Sequence, residues 1–175
     1  YLVSANNRPA ETGLGIGYFF SPDDRIQRMR ELIGEGPLSV ADIKALQQDV
    51  HMPSSVALRD IWLAKLDEAG LGEQRGIAAM RDWDGHYRTD SKGAVAFEQF
   101  RDGFTASFYA LTFGDTDWQA FANVSRIKTL MLQDIRRTPI ERLRGPLEAG
   151  LARIAENGDI ADWGDMHRLR LSHPL

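Results

Sequence analysis

Catalysis needs donors, acceptors and bases held at fixed spacing, and the first candidates in this chain are two amides and a guanidinium. Ser4-Ala5-Asn6-Asn7-Arg8-Pro9 sets adjacent carboxamides in a polar segment. By residue type alone, Asn6 and Asn7 read as an Asx turn, with side chains bonding the nearby backbone. Arg25 falls with Met29 and Leu32 on one helical stripe, which puts its guanidinium in line with apolar residues. A buried guanidinium has to be paired or fully hydrogen-bonded, and carbonyls or a carboxylate near the Asn6 turn would do that. The competing reading is a snorkelling surface arginine. Four histidines, His51, His86, His167 and His173, could supply a base or a metal ligand. His167 and His173 suit neither a helical face nor a known ligand pair, and hydrogen-bonded structural histidines are the better reading.

Missing motifs narrow the chemistry further. The chain has no Gly-x-Ser-x-Gly elbow, no His-Glu-x-x-His pair and no Walker loop. Gly13-Leu14-Gly15-Ile16-Gly17 lacks the spacing of a dinucleotide loop and reads as a connector. With no cysteine, thiol catalysis, disulfides and Cys-ligated zinc are excluded. Lys plus Arg number 21 against 25 Asp plus Glu, a net charge of −4, so no positive excess is available for phosphates or anionic lipid. Neither nucleic acid nor membrane is an expected partner, and no apolar run reaches the roughly 18 residues of a spanning helix. Asn123-Val124-Ser125 matches a glycosylation acceptor but falls inside a helical pattern. Phe104, Phe108, Tyr109 and Phe113 could line a pocket, although the core is the stronger assignment.

The elements that must position these groups are mostly helices. Ser21-Pro22-Asp23-Asp24 supplies an N-cap, a proline for the first turn and early acids, followed by Ile26, Met29, Leu32 and Ile33 at helical spacing. Gly34 and Gly36 stop that helix. Ser39 caps a second, with a stripe of Val40, Ile43, Leu46 and Val50, ending before Pro53. A third is expected from Ser54 to Ala69, closing at Gly70, and Trp83-Asp84-Gly85 reads as a helix end with a buried indole. Further helices are expected around residues 73–83, 92–111, 117–135 and 139–156, the last opened by a capping pattern at Thr138-Pro139-Ile140-Glu141. Strand signals occur only at Tyr1 to Val3 and in the alternating tail from Trp163 to Leu171. The organisation is therefore mainly α: a strand, turn and loop over 1–20, a helical subdomain over 21–160, and a return segment over 161–175. The abrupt start suggests a segment of a longer chain. With 43% hydrophobic residues, the 175-residue chain can bury a core without covalent help.

Several of these runs, taken in order, resemble the β-subunit of the penicillin amidase (penicillin acylase) family. They are Ser4-Ala5-Asn6-Asn7-Arg8-Pro9, Phe20-Ser21-Pro22-Asp23-Asp24-Arg25-Ile26, Leu46-Gln47-Gln48-Asp49-Val50, Trp83-Asp84-Gly85, Trp163-Gly164 with His167-Arg168, and His173-Pro174-Leu175. Each run alone is weak, whereas the ordered set covers the whole chain. The resemblance implies an internal segment of a larger αββα N-terminal-nucleophile hydrolase. In that family a self-cleaving precursor exposes an N-terminal serine, which attacks an amide carbonyl with its own α-amine as base. That serine is not in this chain, so the isolated chain is expected to be inactive.

The resemblance also assigns roles to two residues. Asn6 maps to the asparagine whose side-chain amide donates to the oxyanion, and Arg25 to an arginine that supports the active site. An uncharged NH2 donor at a strand end suits the first role, while Asn7 is expected to serve the turn. The implied partners are the rest of the parent chain, its α-subunit and a small N-acyl amide substrate of β-lactam or acyl-homoserine lactone type. Many relatives are periplasmic or secreted. Calcium is common in the family, and Glu11 lies near a place where the family supplies a ligand, but the shorter loop leaves no metal residue assigned. The rival reading is a non-catalytic helical domain for binding or scaffolding.

Overall fold

The computed structural model describes residues 3–8, 20, 22–74, 76–122, 127–156 and 158–168. Eight helical elements occur among them: α1 (Asp24–Ile33), α2 (Val40–Gln47), α3 (Pro53–Glu68), α4 (Ile77–Arg81), α5 (Lys92–Ala122), α6 (Ile127–Arg137), α7 (Ile140–Ala155) and α8 (Trp163–Met166). The mainly α expectation holds. The expected terminal strands do not appear among the described residues. Val3 has no strand pairing, and Trp163 to Met166 closes a short helical turn, with His167 N–H donating to the Trp163 carbonyl at 3.1 Å. Tyr1, Leu2 and the tail from Leu169 onward lie outside the described residues. Among the described residues the only bridge is an isolated antiparallel one, His51 with His86.

Local sequence explains some of the helix ends. Ser39 and Asp42 form a reciprocal capping box: Asp42 N–H donates to Ser39 Oγ at 3.2 Å, and Ser39 N–H to Asp42 Oδ2 at 2.8 Å. Pro53 sits at the start of α3, where its missing N–H costs nothing. Two caps differ from expectation. Helix α1 starts behind Asp23, which makes no side-chain capping bond, and Asp24 instead accepts from Ser54 N–H at 2.6 Å. Ahead of α7, Thr138 Oγ1 donates back to the Asp134 carbonyl at 2.7 Å, so Thr138-Pro139-Ile140-Glu141 forms no capping box. The long run α5 is broken at Gly114, whose φ of 77° and ψ of 168° are non-helical. That break falls in the gap expected between residues 111 and 117.

The core lies among α3, α4, α5, α6 and α7. Trp62 packs against Phe97, Phe100 and Phe104 with ring centroids 5.5, 5.0 and 5.3 Å away, and Met131, Ile135, Leu143 and Leu147 complete the cluster. Each fully buried side chain of this size contributes about 1.5–3 kcal/mol. Phe104 and Tyr109 are core as expected, whereas Phe113 is exposed. Helix α2 differs more sharply. It carries an apolar stripe, yet none of its residues is buried, and Val40 is 74% exposed.

Candidate functional site

An open cavity of about 800 Å³ lies beside this core, walled by α1, the end of α2 and the segment that follows it. Tyr87, Glu98 of α5, Lys128 of α6, and Trp163 and His167 close its other side. Its apolar wall includes Met29, Leu32, Leu46 and Met52. The charged groups divide by how they are satisfied. Asp49 takes two bonds from Arg28, at 2.9 Å from Nε and 3.0 Å from Nη2. That bidentate contact holds the Asp49 carboxyl below the usual carboxylate range and raises the guanidinium in return.

Arg25 lines the same cavity. It is exposed, not buried, and makes no ion pair among the described residues. The expectation that its stripe would bury it is corrected. Residues 25, 29 and 32 do share a face, but that face opens on the cavity, while Ile26 is the residue α1 buries. The arginine that requires pairing is Arg28, three residues on.

Asn6 lies in a bend, not at a strand end, with φ at 55°, in the left-handed region that asparagine tolerates better than most residues. As expected, Asn7 serves the turn. Its Oδ1 accepts from Ala5 N–H at 3.2 Å and its Nδ2 donates to the Arg8 carbonyl at 3.2 Å. Asn6 is exposed and is not among the residues walling the cavity, so the structure does not join it to Arg25 there.

The histidines do not all behave as hydrogen-bonded structural residues. Met52 N–H bonds to the Gly85 carbonyl and Tyr87 N–H to the Val50 carbonyl, so His51 and His86 face each other as a non-hydrogen-bonded antiparallel pair. That geometry brings side chains close, and the ring centroids are 4.7 Å apart. His51 Nδ1 is buried without a hydrogen-bond partner. Burial first, then Arg28 and His86, lowers the His51 pKa. His86 Nδ1 lies 3.1 Å from Asp84 Oδ2 without forming a hydrogen bond, and its Nε2 is 3.8 Å from Asp49. His167 stacks on Trp163 with centroids 3.7 Å apart. Trp83 is buried as expected, its Nε1 donating to the His86 carbonyl at 2.8 Å. His173, Glu11, the Gly13 loop and Asn123-Val124-Ser125 lie outside the described residues. No group of three or more His, Asp or Glu among the described residues is placed to hold a metal ion.

A further set was not visible in the sequence. Lys128 Nζ donates to Ser55 Oγ at 2.6 Å, Ser55 Oγ lies 3.1 Å from Tyr87 Oη, and Tyr87 Oη donates to Glu98 Oε1 at 2.6 Å. Because the single Tyr87 proton points to Glu98, Ser55 is the donor to Tyr87. All the protons therefore run in one direction, from the ammonium to the carboxylate. Arg101 also holds Glu98, at 2.8 Å. Burial first, then Glu98, pushes the Tyr87 phenol well up. No local motif could announce Lys128 and Ser55, which are 73 residues apart. Asp49 stood inside a recognised run, but nothing there pointed to Arg28.

In comparison with known proteins, the family model described as penicillin amidase matches residues 1–175. No curated protein and no solved structure matches the chain.

Proposed function

This chain belongs to the penicillin amidase family, a hydrolase family, and from that premise we propose that it is the part of an amidohydrolase that carries an oxyanion donor and one wall of the site. Its substrate is a small N-acyl amide of β-lactam or acyl-homoserine lactone type. The attacking serine belongs to a segment outside this chain, within a parent protein that is periplasmic or secreted and includes an α-subunit. Asn6 donates its side-chain N–H to the oxygen of the tetrahedral intermediate, and Arg25 supports the site.

The observation that carries this reading is the family match along the whole chain. Arg25 adds support, because it faces an open cavity with no carboxylate among the described residues engaging it. A guanidinium so placed is available to a group from another segment or from substrate. Asn7 ties down the turn, which helps to fix the neighbouring donor as preorganised stabilisation requires.

The test uses the complete processed protein and a chromogenic acyl amide. Replacing Asn6 with Ala should lower turnover about 10²–10³-fold, the loss usual for one oxyanion donor, well beyond the modest stability loss that an alanine at a φ of 55° brings. Wild-type turnover in that variant would remove Asn6 from the mechanism.

A further inference from the structure

Lys128 has no part in the proposed amide hydrolysis, yet it lines the cavity and has an unusual environment. No carboxylate oxygen lies within ion-pairing distance of it among the described residues. Its hydrogen bond goes to the hydroxyl of Ser55, on α3, a residue with no exposed surface. The charged groups facing it are Glu98 and Arg101 on α5 and Asp24 on α1. The rings of Tyr87 and Phe97 lie 5.7 and 5.9 Å from Nζ. Glu98, Asp24 and the two rings favour the ammonium, whereas burial and Arg101 oppose it. Burial dominates, so the Lys128 pKa falls below its ordinary 10.5. The hydrogen-bonded series Lys128, Ser55, Tyr87, Glu98 also gives the departing ammonium proton a route to the Glu98 carboxylate, which lines the same cavity.

A lysine that lines a cavity, is bonded to a hydroxyl and has no carboxylate within ion-pairing distance among the described residues is placed to act as a nucleophile once deprotonated. We propose that Lys128 is a reactive amine that condenses, inside the cavity, with an aldehyde carrying an apolar or aromatic substituent. The nitrogen lone pair attacks the carbonyl carbon, and a proton passes from that nitrogen to the former carbonyl oxygen to give a carbinolamine. Loss of that hydroxyl as water, with a proton from nitrogen, leaves an imine, so amine plus aldehyde yields imine plus water with no oxidant. Met29, Leu32, Leu46 and Met52 supply the surface for the apolar substituent. The inference is independent of the hydrolase reading, because it uses neither Asn6 nor Arg25.

The experiment treats the full-length folded protein with benzaldehyde and cyanoborohydride near neutral pH, then locates benzylated lysines by peptide mapping. Lys128 is expected to label several-fold faster than the exposed Lys44 and Lys92. Its rate should saturate with benzaldehyde concentration and level off at a lower pH than theirs. Labelling of Lys128 no faster than that of Lys44, a rate strictly linear in aldehyde, or parallel pH profiles for the two lysines would each overturn the proposal. Asn6→Ala should leave the labelling unchanged even if it abolishes amidase turnover, so the two readings fail separately.

Discussion

Arg25 and Arg28 are three residues apart on one helix, and the difference between them decides what each variant should do. Arg25 is exposed and without an ion pair among the described residues, so Arg25→Ala should shift stability by less than about 0.5 kcal/mol. If it supports the active site, the same change should still depress turnover, and Arg25→Lys should restore only part of it because the planar fork is lost. Unaltered kinetics in Arg25→Ala would dismiss the role. Arg28 and Asp49 have side chains only 23% and 14% exposed and share two bonds. Asp49→Asn should therefore cost about 1–3 kcal/mol, read from urea midpoints. The pH dependence has a definite sign. A carboxyl depressed on folding stabilises fully above its unfolded value of 3.8, and that stability is lost as pH falls through the lower folded value. The wild type should lose this increment on acidification, whereas Asp49→Asn should have a flatter profile in that range. Arg25 drew attention in the sequence because a motif contains it. Arg28 did not, because its partner lies 21 residues away and spacing alone reveals only neighbours on the same helix.

Between helices, what could be read from the sequence depended on whether a signal was local. The Ser39 cap and the stop at Gly70 needed only adjacent residues, and both were legible. The burial of α2 was not, since an apolar stripe says which face could be buried and not whether anything covers it. Helix α7 offers a controlled comparison, with two glycines in one element and opposite surroundings. A Cβ at Gly150 would come within 2.7–2.9 Å of the Phe100 ring, while one at Gly145 would meet nothing within 4 Å among the described residues beyond its chain neighbours. Gly145→Ala should change stability by less than about 1 kcal/mol, because the gain in helix propensity is offset by the new Cβ meeting the Pro146 ring. Gly150→Ala should destabilise by about 1–3 kcal/mol, because α5 and α7 must separate or Phe100 must leave its rotamer. Denaturant titration of the two variants checks this, and an equal shift in both would mean that the close approach of α5 and α7 is not what requires Gly150.

Across the whole molecule, apolar surface is distributed unevenly. The aromatic core holds α3 to α7 together, but Leu32, Leu38, Val40, Ile43 and Val50 are all exposed around α1 and α2. Scattered exposed apolar residues are ordinary, whereas a concentration of them in one region marks a surface that something covers. The helix bearing Arg25 is thus among the least internally supported, with Ile26 as its buried residue. Helix α2 has no buried residue at all. Judged by internal packing alone, α2 amides should exchange through cheap local opening and those of α5 and α7 only through global unfolding. The hydrolase reading changes that order in the complete protein, because the rest of the parent chain would cover α1 and α2. Hydrogen exchange on the full-length processed protein should then show α2 amides protected to an extent approaching those of α5. A self-standing binding or scaffold domain would leave α2 exchanging far ahead of the core. Rapid exchange confined to α1 and α2 in the complete protein would count against a parent chain packed on this face, and with it against Arg25 being held in place from outside.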